Sequence, residues 1–259
     1  MFIKHNNNLP YNPQRIICLV PSLTELLYDL GLHDQVVGIT KFCIHPKQWQ
    51  QTKQIIGGTK NIQLNKISLL QPDLIIASKE ENIREQVEAL AENFPVWLTD
   101  VHNLDSAIQM IKDIGALTKT NDEAVKLADT IRQSFNCFKK PITQLNTAYL
   151  IWRQPYMTVG GDTFIHDMLV HAGCTNIFAT ATRYPIITIK ALQQLHCELL
   201  LLSTEPYPFN STHLAALQLQ LPNTKILLVD GELFSWYGSR LIYSVDYFIT
   251  LMNTISKVK

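Results

Sequence analysis

From Arg15 to Thr40 the apolar positions change period twice. Residues 15–20, RIICLV, are an almost unbroken apolar run of strand length, and Leu23, Leu26, Leu27 and Leu30 then recur at i, i+3, i+4 and i+7, one stripe of a helix. QVVGIT restores the strand pattern. Ser22 and Glu25 have the S-x-x-E spacing of a capping box, in which hydroxyl and carboxylate each satisfy a free N–H at the helix start, and Gly31 stands where a left-handed C-cap belongs. Strand, turn, capped helix and strand predict a βαβ start.

The rhythm repeats. ISLLQPDLIIAS predicts a short helix stopped before Pro72 and then a strand; EQVEALAENFPVWLTD predicts a helix and a strand ending at Asp100; a further helix runs from about Leu104 to Leu117. Between Asn121 and Phe138 the pattern becomes one sustained helix with Ala124, Ala128, Ile131, Phe135 and Phe138 on one face, ended by Pro141. The earlier order then returns as the strand TAYLIW, the turn and helix GGDTFIHDMLVHAG, the helix and strand IKALQQLHCELLLLS, and the strand TKILLVD. The halves resemble each other in letters, LLQPDLIIAS against LQQLHCELLLLS. The expected fold class is α/β: two similar parallel-sheet lobes joined by one long helix, with an N-terminal lobe at 1–120, an inter-lobe helix at 121–140 and a C-terminal lobe at 141–259.

Lobes joined by a single stiff helix close on a ligand by a small hinge motion. In open α/β sheets the ligand crevice lies beyond the carboxyl ends of the strands, so the informative residues are those that follow each strand. They are Pro21 and Ser22; Phe42 and His45; 57–60 with Lys60; 79–82 with Glu80 and Glu81; 152–157 with Trp152 and Tyr156; Arg183 and Tyr184; 205–209; and 234–240 with Phe234, Trp236 and Arg240. Aromatic rings with a few charges suit a cleft with apolar walls and a few orienting polar groups. Arg240 is either an anchor for a ligand carboxylate or amide, or a tie from its loop to a backbone carbonyl.

Charge and motifs narrow the chemistry. Lys+Arg 22 against Asp+Glu 22 leaves no electrostatic footprint for nucleic acid or an anionic membrane. The five cysteines are scattered with no C-x-x-C, so they are expected to be buried thiols of a reducing compartment. The N-terminus lacks the apolar run of a secretory signal, which places the chain as given in the cytoplasm, or in the periplasm if its natural start lies upstream. His45 and His166 are the histidines nearest to loops or helix starts, each either a ligand to a metal carried by the solute or a hydrogen-bonded structural group. No metal site of the protein's own and no nucleophile can be proposed: H-E-x-x-H, H-x-H and G-x-S-x-G are absent. GGT at 57–59 and GGD at 160–162 offer either N–H groups to an anion or tight turns.

RIICLVPSLTELLYDLGLHDQVVGIT, LLQPDLIIAS, GGDTFIHDMLVHAGCTNIF and YPIITIKALQQLHCELLLLSTEPYPF, in this order, resemble the helical-backbone (class III) solute-binding proteins of ABC transporters, closest to the vitamin B12-binding periplasmic protein family. The resemblance implies a non-catalytic binding protein that clamps a large planar or metal-containing molecule (cobalamin or another corrinoid, haem, or a ferric siderophore) and owns no cofactor. It places ligand-contacting aromatics at Phe42, at Tyr156 or its neighbours, at Tyr184, and at Trp236 or Phe234, and it leaves Thr59 and Ser78 where two tryptophans are expected. It also implies an ABC permease as partner, but Asn65 and Lys190 replace the glutamates that dock on permease arginines, and a lysine there repels an arginine. The expectation is therefore a monomer that keeps the clamp and has lost the transporter. The alternative is a cytoplasmic enzyme or chelatase-like factor of tetrapyrrole or corrinoid metabolism.

Overall fold

A computed structural model describes residues 2–3, 9–140 and 145–257. The chain divides into two compact units: the first comprises Met1–Val101, Asp105–Gln133 and Tyr237–Arg240, and the second comprises His102–Leu104, Ser134–Trp236 and Leu241–Lys259.

In the first unit the elements follow as β1 (Phe2–Ile3), β2 (Ile16–Cys18), α1 (Pro21–Asp29), β3 (Val36–Ile39), α2 (Trp49–Thr52), β4 (Gln54–Ile55), β5 (Gly57–Gly58), β6 (Asn61–Ile62), α3 (Leu64–Leu70), β7 (Leu74–Ser78), α4 (Arg84–Asn93), β8 (Val96–Thr99), α5 (Leu104–Thr118) and α6 (Asn121–Cys137). Six strands pair in the order β1-β8-β7-β2-β3-β4, every pair parallel. Parallel strands are covered on both faces and read as continuous apolar runs. Accordingly every residue of β2 and β7 is buried, and Ile17, Leu19, Ile75 and Ala77 pack with Ile67 of α3 and Val87 and Leu90 of α4. β5 and β6 form a small antiparallel hairpin.

The second unit holds β9 (Asn146–Leu150), β10 (Tyr156–Met157), α7 (Phe164–His171), β11 (Thr175–Asn176), β12 (Ile186–Ile187), α8 (Ile189–Gln194), β13 (Leu199–Ser203), α9 (Ser211–Gln220), β14 (Lys225–Val229), α10 (Glu232–Ser235) and α11 (Leu241–Lys257). Its sheet is parallel in the order β11-β9-β13-β14, and β10 pairs antiparallel with β12. The LLLLS strand β13 is buried throughout, as its composition demands. α6 crosses the border of the division, with 121–133 in the first unit and 134–137 in the second. Ala124, Ala128, Ile131 and Phe135 on it are buried, as their spacing requires. Pro141 lies outside the described residues.

Two local expectations are corrected. The S-x-x-E pair at Ser22 and Glu25 is not a capping box: Pro21 already begins α1, Val20 is the N-cap, and no side chain caps it. Glu25 instead receives Arg240, and the buried Ser22 hydroxyl has no partner among the described residues. The thiols are buried at Cys18, Cys43, Cys174 and Cys197, but Cys137 at the end of α6 is exposed. Features without a sequence expectation include α9, the 17-residue C-terminal α11, the β5–β6 hairpin and the antiparallel pair of β10 with β12.

Candidate functional site

In the first unit the loops after the strands build a recess and a buried polar bracket behind it. β3 ends at Ile39, and a tight turn, with Cys43 N donating to Thr40 O at 3.1 Å, presents Lys41 and Phe42 outward. Opposite them stands the β5–β6 hairpin. Gly57 has a positive φ of 110°, and a Cβ there would lie 2.4 Å from Asn61 O, so only glycine makes this turn. A Cβ on Gly58 would meet the Phe42 ring at 3.1 Å. The ring lies against bare backbone and remains 51% exposed. Lys41, Phe42, Gly57, Gly58, Lys60 and Lys66 are among the residues that line a recess of about 510 Å³.

Behind the hairpin, Asn82 ties three strand ends together. Its side chain accepts from Ser78 N at 2.8 Å and donates to Leu19 O at 3.3 Å and Thr59 O at 2.9 Å. Ser78 stands where the resemblance puts a tryptophan, and its hydroxyl accepts from the Tyr237 hydroxyl at 2.9 Å. Burial, and next Glu81, push the Tyr237 phenol well above its usual range, so it stays a donor. Arg240, three residues on, forms a two-pronged pair with Glu25, Nε to Oε2 at 2.8 Å and Nη2 to Oε1 at 2.6 Å, with both side chains only 14% exposed. That pair differs from both expected roles of Arg240. Burial pushes the Glu25 carboxyl up, against the opposing pull of the guanidinium. Pro21 is buried at the first position of α1, His45 is half-buried, and Glu80 is half-buried with its N–H given to Ser78 Oγ at 3.1 Å.

In the second unit the rings gather beyond β9 and β13. Trp152, 41% exposed, meets the Tyr207 ring edge-on at 5.6 Å, and Tyr207 meets Phe209 at 4.8 Å. His213 locks this group. Its Nδ1 accepts from Asn210 N at 3.2 Å, completing a capping box on α9, so Nε2 carries the proton and donates to Tyr207 Oη at 3.3 Å. Tyr156 and Tyr207 both pack against the core cluster that includes Leu150, Leu202 and Phe209. The result is a braced aromatic surface at the carboxyl end of a parallel sheet, where α/β folds hold ligands. The loop 205–209 was named from the sequence, but Tyr207 was not put forward; its signal was the PYPF run directly after an apolar strand.

Tyr184 is half-buried with the Arg183 guanidinium 5.6 Å from its ring centroid, and Arg183 N donates to Asp162 Oδ1 at 2.6 Å. GGD at 160–162 is a packing turn: a Cβ on Gly161 would fall 2.0 Å from Ala179 O. His166 Nδ1 lies 3.2 Å from the Asn176 amide nitrogen, a structural bond. Phe234 departs from its expected place on a ligand wall. It is fully buried, packed on Tyr149 at 5.3 Å and Phe248 at 4.9 Å. Trp236 is 7% exposed, and its indole N–H donates to Glu205 Oε1 at 3.0 Å. The Ser235 hydroxyl donates to the same oxygen, and burial pushes the Glu205 carboxyl up. Among the described residues no group of three or more His, Cys, Asp or Glu is placed to hold a metal ion, and no helix is long and apolar enough to cross a membrane.

Comparison with known proteins gives this geometry a context. A family model described as periplasmic binding protein matches residues 16–220. The vitamin B12-binding protein of Vibrio parahaemolyticus serotype O3:K6 is 25% identical over 182 residues, 68% of this chain and 66% of that protein. The uncharacterized ABC transporter substrate-binding lipoprotein YvrC of Bacillus subtilis is 29% identical over 196 residues, 71% of this chain and 62% of that protein. The aligned stretch thus spans less than two thirds of the length of either relative. Among solved structures, the apo periplasmic heme-binding protein RhuT from Roseiflexus sp. RS-1 superposes with a TM-score of 0.79 at 18% identity, covering 93% of this chain and 98% of that one. At that identity the likeness concerns the fold.

Proposed function

This chain belongs to the periplasmic binding protein family, and from that premise we propose that it is a non-catalytic solute-binding protein for a large planar or metal-containing small molecule of the corrinoid, haem or ferric-chelate class. The observation that carries the reading is the aromatic surface of Trp152, Tyr207 and Tyr156 beyond β9 and β13, in which Trp152 meets Tyr207 and both tyrosines pack on one core cluster. Rings held in place by His213 and by the core cluster beneath them offer flat contact area at little further cost in side-chain entropy. In the first unit Phe42 and Lys60 face a recess that a solute can enter. Tyr184 with Arg183 adds a cation beside a half-buried ring.

The segments 1–120, 121–140 and 141–259 act, in this reading, as lobe, connecting helix and lobe. Asn65 and Lys190 are exposed in the first turns of α3 and α8. Lacking the acids that the family resemblance puts there, they support a chain that binds its solute without the usual grip on permease arginines.

Titration with cyanocobalamin, dicyanocobinamide, haemin and ferric chelates, followed by tryptophan fluorescence, tests the reading. A saturable response to at least one solute, weakened in Trp152→Ala, is expected. No response to any of them overturns it.

A further inference from the structure

The chain as a whole is neutral, yet from Gln35 to Pro72 it carries five lysines and no aspartate, glutamate or arginine. Three of those lysines, Lys41, Lys60 and Lys66, line the same recess, and no acidic residue lines it with them. Cations elsewhere find carboxylates: Lys79 with Asp100, Arg84 with Glu88, Lys112 with Asp129, Arg132 with Asp105 and Arg240 with Glu25. Among the described residues the three recess lysines have none. Lys41 Nζ sits 5.0 Å from the Phe42 ring centroid, and Lys66 Nζ has only a long contact of 3.4 Å to Ile55 O. A solvated lysine surface in a neutral protein normally carries acids among its cations, because like charges held close repel one another. Here the repulsion is concentrated on a concave surface floored by Phe42 and bare glycine backbone, which lets a bulky solute approach closely.

We propose that this recess receives the anionic edge of the solute, so that the protein takes negatively charged ligands, carboxylate-bearing tetrapyrroles or oxygen-rich ferric chelates, in preference to uncharged ones of the same shape. The inference rests on the solute-binding reading above and adds to it the charge of the ligand. Three ammonium groups converging on one set of oxygens act together at short range and are screened by salt. Each is exposed, so each contributes modestly, and their sum sets the selectivity.

Two matched pairs of probes test it: haemin against haemin dimethyl ester, and a ferric tris-catecholate against an uncharged ferric tris-hydroxamate. Within a pair that binds, the anionic member should bind about thirty-fold more tightly at low ionic strength, and the ratio should fall toward unity at high salt. In the triple substitution Lys41→Gln, Lys60→Gln, Lys66→Gln the same ratio should collapse, with circular dichroism and the melting temperature reporting that the fold is kept. A wild-type protein that binds neutral and anionic members equally, or a ratio that the triple substitution leaves unchanged, overturns the inference while solute binding stands. If cobalamin or cobinamide binds but neither anionic probe does, the inference is overturned while solute binding stands; if nothing binds, the solute-binding reading fails first, and this inference fails with it.

Discussion

Replacing Arg240 by Met should cost the protein about 3 kcal/mol at neutral pH. The figure follows from the geometry. Two hydrogen bonds of 2.8 and 2.6 Å join Arg240 to Glu25, and each side chain is only 14% exposed. At an effective dielectric constant of about 20, opposite charges about 4 Å apart attract by about 4 kcal/mol. Methionine retains the apolar stem of arginine but leaves the Glu25 carboxylate buried without a partner, and orphaning one member of such a pair costs about 3–5 kcal/mol. The lower end applies because the abandoned acid has an escape, which is to take up a proton. Its carboxyl is already pushed up by burial, and losing the guanidinium raises it further. A carboxyl raised in the folded state supports folding below its unfolded value and withdraws that support as pH climbs through its folded value. The variant should therefore recover part of its deficit as the pH is lowered from about 7.5 to about 5. Urea unfolding followed by circular dichroism reads the effect as a midpoint lower by about 1.5 M, for a slope of about 2 kcal/mol/M. Glu25→Leu combined with Arg240→Met should return to within about 1 kcal/mol of wild type, since no charge is left buried. A single-variant loss below about 1 kcal/mol, or one that does not shrink at acid pH, would show that water reaches the pair and refute the reasoning.

Other parts of the structure give equally specific expectations. Burial raises the Glu205 carboxyl, so wild-type stability should gain from this group as pH falls through its folded value; Glu205→Gln, which still accepts from Ser235 and Trp236, should be at least as stable at neutral pH and lack that gain, as thermal melts across pH will report. Asn82→Ala removes one accepted and two donated bonds from the strand ends of the first unit and should cost about 2–3 kcal/mol in urea unfolding. Gly57→Ala forces a Cβ to within 2.4 Å of Asn61 O at a φ of 110°, and a loss of about 3 kcal/mol with slackened hydrogen-exchange protection around the recess is expected.

Much of the architecture was legible because it rests on period. The apolar runs of β2, β7 and β13 and the spaced leucines of α1 can hide their surface only as covered parallel strands and a one-faced helix. The LQLQ end of α9 gave no such signal: only Leu217 along that helix is buried, and its start is held by Asn210 and His213 rather than by an apolar stripe. The segments after the strands were named from the sequence as loops, but Gly57, Gly58 and Tyr156 lie in short strands and Phe234 in α10, and the fate of single residues in them was not readable. Phe234 and Trp236 stand two positions from each other in FSWYGSRL, but one is a core ring and the other a donor to a buried acid.

The alternation of buried strands with one-faced helices was determined by the sequence alone, because local periodicity dictates which surfaces have to be buried. The tertiary structure decided which polar group meets which. Glu25 lies three residues from Ser22 and 215 from Arg240, and it is Arg240 that it holds. Likewise the lysines at 41, 60 and 66 share one recess only because the hairpin of Gly57 and Gly58 returns the chain toward Phe42. Charges and hydrogen bonds act over a few ångströms of space, whatever the separation along the chain, so their partners are chosen only once the apolar core has set the backbone.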